Sequence, residues 1–130
     1  MSKRRKRTPW QITSATAPTE RTNEQRLADV LEFATQVTEW ARETPPNARD
    51  AMVRRDATIY NLCKIGVASA GMTEAFRAKY PNIPWAEAMA MQEFFGKPDR
   101  LLDHDAVERA SRETVPVLLR EMTKLKSSPQ

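Results

Sequence analysis

From residue 22 onward, apolar residues recur at intervals of three and four. Nowhere does the chain sustain the period-two alternation of Val, Ile and Thr that a half-buried strand requires. That pattern confines the chain to helical architectures, and its interruptions set their number. Thr44-Pro45-Pro46-Asn47, Pro81-Asn82-Ile83-Pro84 and Gly96-Lys97-Pro98 each deny helix, because proline lacks an amide hydrogen and pushes the residue before it out of the helical region. With only three glycines in 130 residues, little else in the chain can turn sharply.

Thr22 and Gln25 have the spacing of a capping box and open a helix of about 22 residues. Its stripe is Leu27, Val30, Leu31, Ala34, Val37 and Ala41; Phe33 and Trp40 widen the apolar face enough to imply burial on two sides. A second helix is expected from about Ala51 to Gly71, with Met52, Ile59, Leu62, Cys63, Gly66 and Ala70 inward and small residues near its end. A short helix from Thr73 to Tyr80 follows. Another starts at Trp85 and carries Ala88, Met89, Met91, Phe94 and Phe95. The last is capped by Asp103 and carries Val107, Ala110, Thr114, Val117, Leu118, Met122 and Leu125, with a kink or split at Pro116. The fold class is therefore all-α: an antiparallel four-helix bundle plus a short helix, spanning residues 22–126 and followed by a disordered end at 127–130.

The net charge of +4 is unevenly placed. In residues 1–21, Lys3, Arg4, Arg5, Lys6, Arg7 and Arg21 against Glu20 leave +5, so the remainder carries −1. This segment has only Trp10 and Ile12 as sizeable apolar residues and reads as a disordered basic tail. Its cluster from Lys3 to Arg7 is a candidate nucleic-acid-binding arm acting by counterion release, or a solubilising segment. No apolar run approaches a bilayer span, and MSKRRKR is followed by TPWQITSATAPTE in place of a signal-peptide core, so a soluble cytoplasmic protein without membrane contact is expected. One cysteine, Cys63, and one histidine, His104, can form neither an internal disulfide nor a Cys/His zinc site within one subunit. A carboxylate-held magnesium remains open on this count alone, but no metal and no cofactor is expected, and Cys63 reads as a core residue.

The chain has no P-loop, no dinucleotide fingerprint, no paired cysteine motif, no H-E-x-x-H and no nucleophile elbow. The stretch richest in chemistry is Lys97-Pro98-Asp99-Arg100-Leu101-Leu102-Asp103-His104-Asp105. There His104, flanked by two aspartates, is a candidate general acid, and Lys97 and Arg100 are candidate phosphate ligands beside a helix N-terminus. The plainer alternative is that Asp103 caps, Asp105 complements the helix dipole and His104 points to water.

From Glu24 to about Glu121 the sequence resembles the HepT-like branch of the HEPN superfamily. The resemblance runs through Arg26-Leu27-Ala28-Asp29-Val30-Leu31 and Arg55-Asp56-Ala57 leading into Leu62 to Gly66. It continues in Tyr80-Pro81-Asn82-Ile83-Pro84-Trp85, Met91, Asp103 and Val115-Pro116-Val117-Leu118-Leu119. It implies a small helical protein of the toxin-antitoxin type, usually encoded beside a minimal nucleotidyltransferase. Active members resemble metal-independent ribonucleases that use R-x4-H-x-Y: the arginine holds phosphate, the histidine moves protons during attack by the ribose 2′-hydroxyl, and the tyrosine receives AMP from the partner. Here a gap-free alignment puts Gln92, Lys97 and Asp99 at those positions. Pairing Glu93-Phe94-Phe95-Gly96 with the family's E-Y-F-G puts a phenylalanine where the tyrosine belongs.

The resemblance therefore implies a catalytically degenerate HepT-like protein acting by binding a protein partner or RNA, as a homodimer motivated by the wide face of the first helix. Two alternatives stand beside it. One is an active ribonuclease with a displaced site built from Arg100, His104 and Lys97, although Arg100-x3-His104 is one residue short and Lys97 lacks a bidentate grip. The other is a helical interaction or scaffolding protein related in fold alone.

Overall fold

A computed structural model describes residues 21–98 and 101–127. Among them the chain is all-α, and each helix begins where local chemistry says it should. Helix α1, Asn23–Arg42, is preceded by Thr22, whose Oγ1 accepts from the Gln25 amide at 3.1 Å while Gln25 Oε1 accepts from the Thr22 amide at 2.9 Å. This is the expected capping box. Arg21, assigned to the tail on sequence grounds, grips Asp29 with Nε and Nη2 at 2.9 and 2.7 Å and so adds one residue to the folded body.

Helix α2, Ala48–Gly71, starts three residues earlier than expected because Asn47 Oδ1 caps the Asp50 amide at 2.8 Å. Helix α3, Glu74–Ala78, is capped by Thr73. Helix α4, Trp85–Phe95, has no side-chain cap. Its entry is fixed by the Trp85 indole, which donates to the Tyr80 carbonyl at 3.0 Å and stands edge-on to Phe76. Helix α5, His104–Arg109, runs through a π-helical turn, Ala110–Thr114, into α6, Val115–Ser127. The π-turn, in which the Val115 amide reaches back to the Ala110 carbonyl, is the expected distortion at Pro116. Proline offers no amide to the carbonyl four residues before it, and a widened turn just upstream accommodates that loss.

The long helices run antiparallel. Asn23, at the start of α1, exchanges two hydrogen bonds with Thr73, just beyond the end of α2. A Cβ at Gly66 would meet the Gln92 backbone, and one at Gly96 would stand 4.0 Å from the Cys63 sulfur, so α4 ascends as α2 descends. Val30, Ala34 and Val37 of α1, Leu62 and Ile65 of α2, Ala88 of α4, and Val115, Leu118 and Met122 lie fully buried between them.

Helix α1 packs on α2 along one side and on the π-turn and α6 along another, which accounts for its wide apolar face within a single chain. Burial along α2 departs from the expected stripe. Met52 is 57% exposed and Ala70 is also exposed. The reason for Met52 is length: α2's 24 residues rise about 36 Å and α4's 11 only about 16 Å, so α4, ending beside Cys63, covers just the second half of α2. Phe94 likewise faces outward at 46% exposure. In the last helix Ser111 and Val115 take the buried register instead of Thr114 and Val117, both of which are half-buried. No helix among the described residues is long and apolar enough to cross a membrane.

Candidate functional site

The stretch singled out by the sequence is the connection between α4 and α5. Met91 and Phe95 anchor α4 in the core, Gly96 closes it with its amide on the Gln92 carbonyl at 3.0 Å, and Pro98 stops any continuation. Lys97 leaves this end with its ammonium 5.1 Å from the centroid of the Phe94 ring, a cation–π contact. On the far side of the connection, Asp103 Oδ1 accepts from the Asp105 and Ala106 amides at 3.0 and 3.2 Å. Asp103 therefore occupies the N-terminal amides that an incoming anion would have used. The plainer of the two sequence readings holds for this residue.

His104 is exposed on the first turn of α5 and makes no hydrogen bond or ion pair among the described residues. Arg100 and Asp99 lie outside the described residues, as do Lys3, Arg4, Arg5, Lys6 and Arg7 of the tail. A cavity of about 260 Å³ opens beside Met91, Phe94, Phe95, Ala106, Arg109 and Ala110. Neither Lys97 nor His104 lines it. Gln92, where the HepT-like resemblance would put an arginine, has its backbone clamped where α2 and α4 approach at Gly66, and its side chain is exposed. Lys97 and His104, the candidate phosphate ligand and proton-transfer group among the described residues, thus do not share this cavity. Cys63 offers no substitute nucleophile: burial pushes its thiol above the ordinary range, an effect only partly opposed by the Lys64 charge.

The comparisons with known proteins bear on this fold. No family model matches the chain, and no solved structure matches it at a significant level. A protein of Methanocaldococcus jannaschii described as "Putative RNase MJ1380" is 31% identical over 103 residues, covering 74% of this chain and 89% of the relative. The chain belongs to the same ribonuclease-like family. Among the described residues of this family member, the polar groups of the α4–α5 connection are engaged by their own chain or directed to solvent.

A second cavity of this ribonuclease-like chain went unseen in the sequence. It holds about 440 Å³ between the end of α1, the first half of α2 and the α5–π junction. Val37, Ala41, Ala51, Met52 and Val107 give it an apolar floor. Its polar lining includes Trp40, Thr58, Arg54, Arg55 and Arg112, with Glu43 and Glu108. Arg54 pairs with Glu43 at 3.1 Å and Arg112 with Glu108 at 2.9 Å. Arg55, the Trp40 indole N–H and the Thr58 hydroxyl have no partner among the described residues. The lining comes from residues 37–58 and 107–112, so no local motif announces it. Two signals were available: Trp40 on an over-wide face, and the adjacent pair Arg54-Arg55.

Proposed function

We propose that the chain is a HepT-like member of the HEPN superfamily, of the toxin-antitoxin type, which has lost R-x4-H-x-Y chemistry and acts in the cytoplasm by binding. Its partners are a minimal nucleotidyltransferase or RNA. The observation that carries this reading is the state of the sole histidine. His104 stands in solvent beside a cap already filled by Asp103 and outside the cavity next to Met91, while Gln92 and Lys97 replace the family's arginine and histidine. The homodimer belongs to the same reading. It draws support from Val53, Tyr60 and Val67, which repeat every seven residues along the outer face of α2 and are 60, 57 and 37% exposed. Sedimentation at micromolar concentration should show a dimer that Tyr60→Glu dissociates.

The test of lost catalysis is incubation of the purified chain with single-stranded RNA in chelator. The chain and its His104→Ala variant should both leave the RNA intact. Cleavage that disappears in His104→Ala would establish instead the second reading, an active metal-independent ribonuclease built on Arg100, His104 and Lys97, which the relative's description favours. Co-expression with a small nucleotidyltransferase encoded nearby should yield a complex. Failure to form one, together with no RNA binding, would leave the scaffolding alternative.

A further inference from the structure

The larger cavity combines features that point to one kind of ligand. Its floor is apolar and its volume of about 440 Å³ lies within the range of small-molecule sites. Trp40 supplies a flat aromatic surface together with an indole N–H that has no partner among the described residues. Thr58, only 9% exposed, offers a hydroxyl without a partner on the same wall. Each of the two ion pairs of the rim is neutral in itself, which among the described lining residues leaves the charge of Arg55 uncompensated. The ligand must therefore bring a planar group with hydrogen-bond acceptors and a single negative charge. A nucleobase has the face and the carbonyl or ring-nitrogen acceptors, and the phosphodiester that links it to its neighbour carries one charge. A carboxylate side chain would satisfy Arg55 but leave the apolar floor and the Trp40 face uncovered.

We propose that this cavity holds one nucleotide of single-stranded RNA, its base against Trp40 and Met52, its edge toward Thr58 and its phosphodiester at Arg55. This assignment rests on the RNA-binding reading above and gives it a place. The site lies beyond the reach of α4, on the opposite side of the α5–π segment from the cavity beside Met91. Arg55 is the positioning cation, and Trp40 the stacking platform that tolerates any base.

The experiment titrates the full chain with a fluorescein-labelled uridine octamer over a series of salt concentrations and follows tryptophan emission in parallel. Trp40→Leu, checked by circular dichroism for an unchanged helix signal, should weaken binding on the order of tenfold and remove most of the emission quenching. Arg55→Gln changes an exposed residue and threatens the fold least. It should lower the slope of log affinity against log salt by roughly 0.7, the contribution of one contact on a single strand. Inorganic polyphosphate should compete poorly, having charge without bases, and uridine monophosphate should compete more weakly than the octamer. Competition by the monophosphate equal to the octamer would mean a free-nucleotide site and overturn the RNA assignment. If the octamer binds but both variants match the parent in affinity and slope, the cavity assignment fails while RNA binding stands. If the octamer does not bind at all, both fail.

Discussion

The two halves of α2 have the same backbone and opposite surroundings. From residue 48 to residue 57 no side chain is buried, and Met52 and Val53 are more than half exposed. From residue 58 onward Thr58, Asn61, Leu62, Ile65, Gly66, Ala68 and Ser69 are buried against α1 and α4. The inward-facing register does not change between the halves, since Ala48, Ala51, Met52, Arg55 and Thr58 continue toward the N-terminus the face on which Leu62, Ile65 and Ser69 lie. What changes is the partner: α4 is too short to follow. The second half holds the bundle together. The first half lines a cavity in which Arg55 has no partner among the described residues, and binding can use that group without breaking a contact of the fold.

The sharpest way to break this comparison is to delete one apolar side chain from each half. Leu62→Ala should cost about 2–5 kcal/mol, because Leu62 is fully buried and its removal leaves a hole among rigid neighbours. Met52→Ala, at a half-exposed position, should change stability by no more than about 0.5 kcal/mol. Urea unfolding of both variants decides the matter, and equal losses would refute the division. Gly66→Ala should come next. A Cβ there would fall 2.3 Å from the Gln92 amide nitrogen, a backbone atom that cannot step aside, so α2 and α4 must separate. A loss of about 1–3 kcal/mol is expected despite alanine's better helix propensity. Gly71→Ala should cost less, because its Cβ would meet the end of the Arg26 side chain, and a side chain can turn.

How much of this was legible in the sequence depends on how local each cause is. Thr22 with Gln25 and Asp103 with the two amides after its neighbour can be read directly, because a cap involves only three or four residues. Trp85 at the head of α4 follows from Pro84, and the distortion near Pro116 follows from a missing amide, although that it takes the form of a π-turn does not. Met52 has the periodicity of a core residue. Its exposure depends on where a different helix, forty residues later, runs out of length. The larger cavity is harder still, since Trp40, Arg55 and Ser111 meet only once three helices have packed. Where the HepT-like resemblance would place R-x4-H-x-Y, the sequence was informative by the residues it has instead, Gln92, Lys97 and Asp99. The structure adds that two of the polar groups there, Lys97 and Asp103, are engaged by the chain itself, while His104 is exposed.

A smaller effect should appear at the helix start. Asn47→Ala removes the acceptor for the Asp50 amide and should cost about 1 kcal/mol. If the first half of α2 is as loosely held as its burial implies, much of that cost will appear as local fraying, with hydrogen exchange accelerated at residues 50–54 and little change at residues 62–69. Uniform acceleration along α2 would show instead that the helix opens as one unit.

The smallest effect is expected at Cys63, which sits close to the boundary between the halves, within reach of Gly96 at the end of α4. Burial raises its thiol pKa above the reference value of 9.0, and Lys64 offsets part of the rise. A raised folded pKa means the native state keeps its proton longer than the unfolded chain does. The contribution to stability is therefore complete below the unfolded value and is lost as pH rises through the folded one. Melting temperature should thus fall slightly more steeply for the parent than for Cys63→Ala once pH rises past the reference value of 9.0, the two curves running parallel well below it. Lys64→Gln removes the opposing charge, so it should raise the thiol pKa further and slow the reaction of Cys63 with a disulfide reagent at a fixed alkaline pH. The same reaction tests the comparison at its boundary. If the first half of α2 opens on its own, the sulfur becomes accessible without global unfolding, and its labelling rate will exceed the rate of unfolding measured in the same buffer. A labelling rate equal to the unfolding rate would place Cys63 with the packed half.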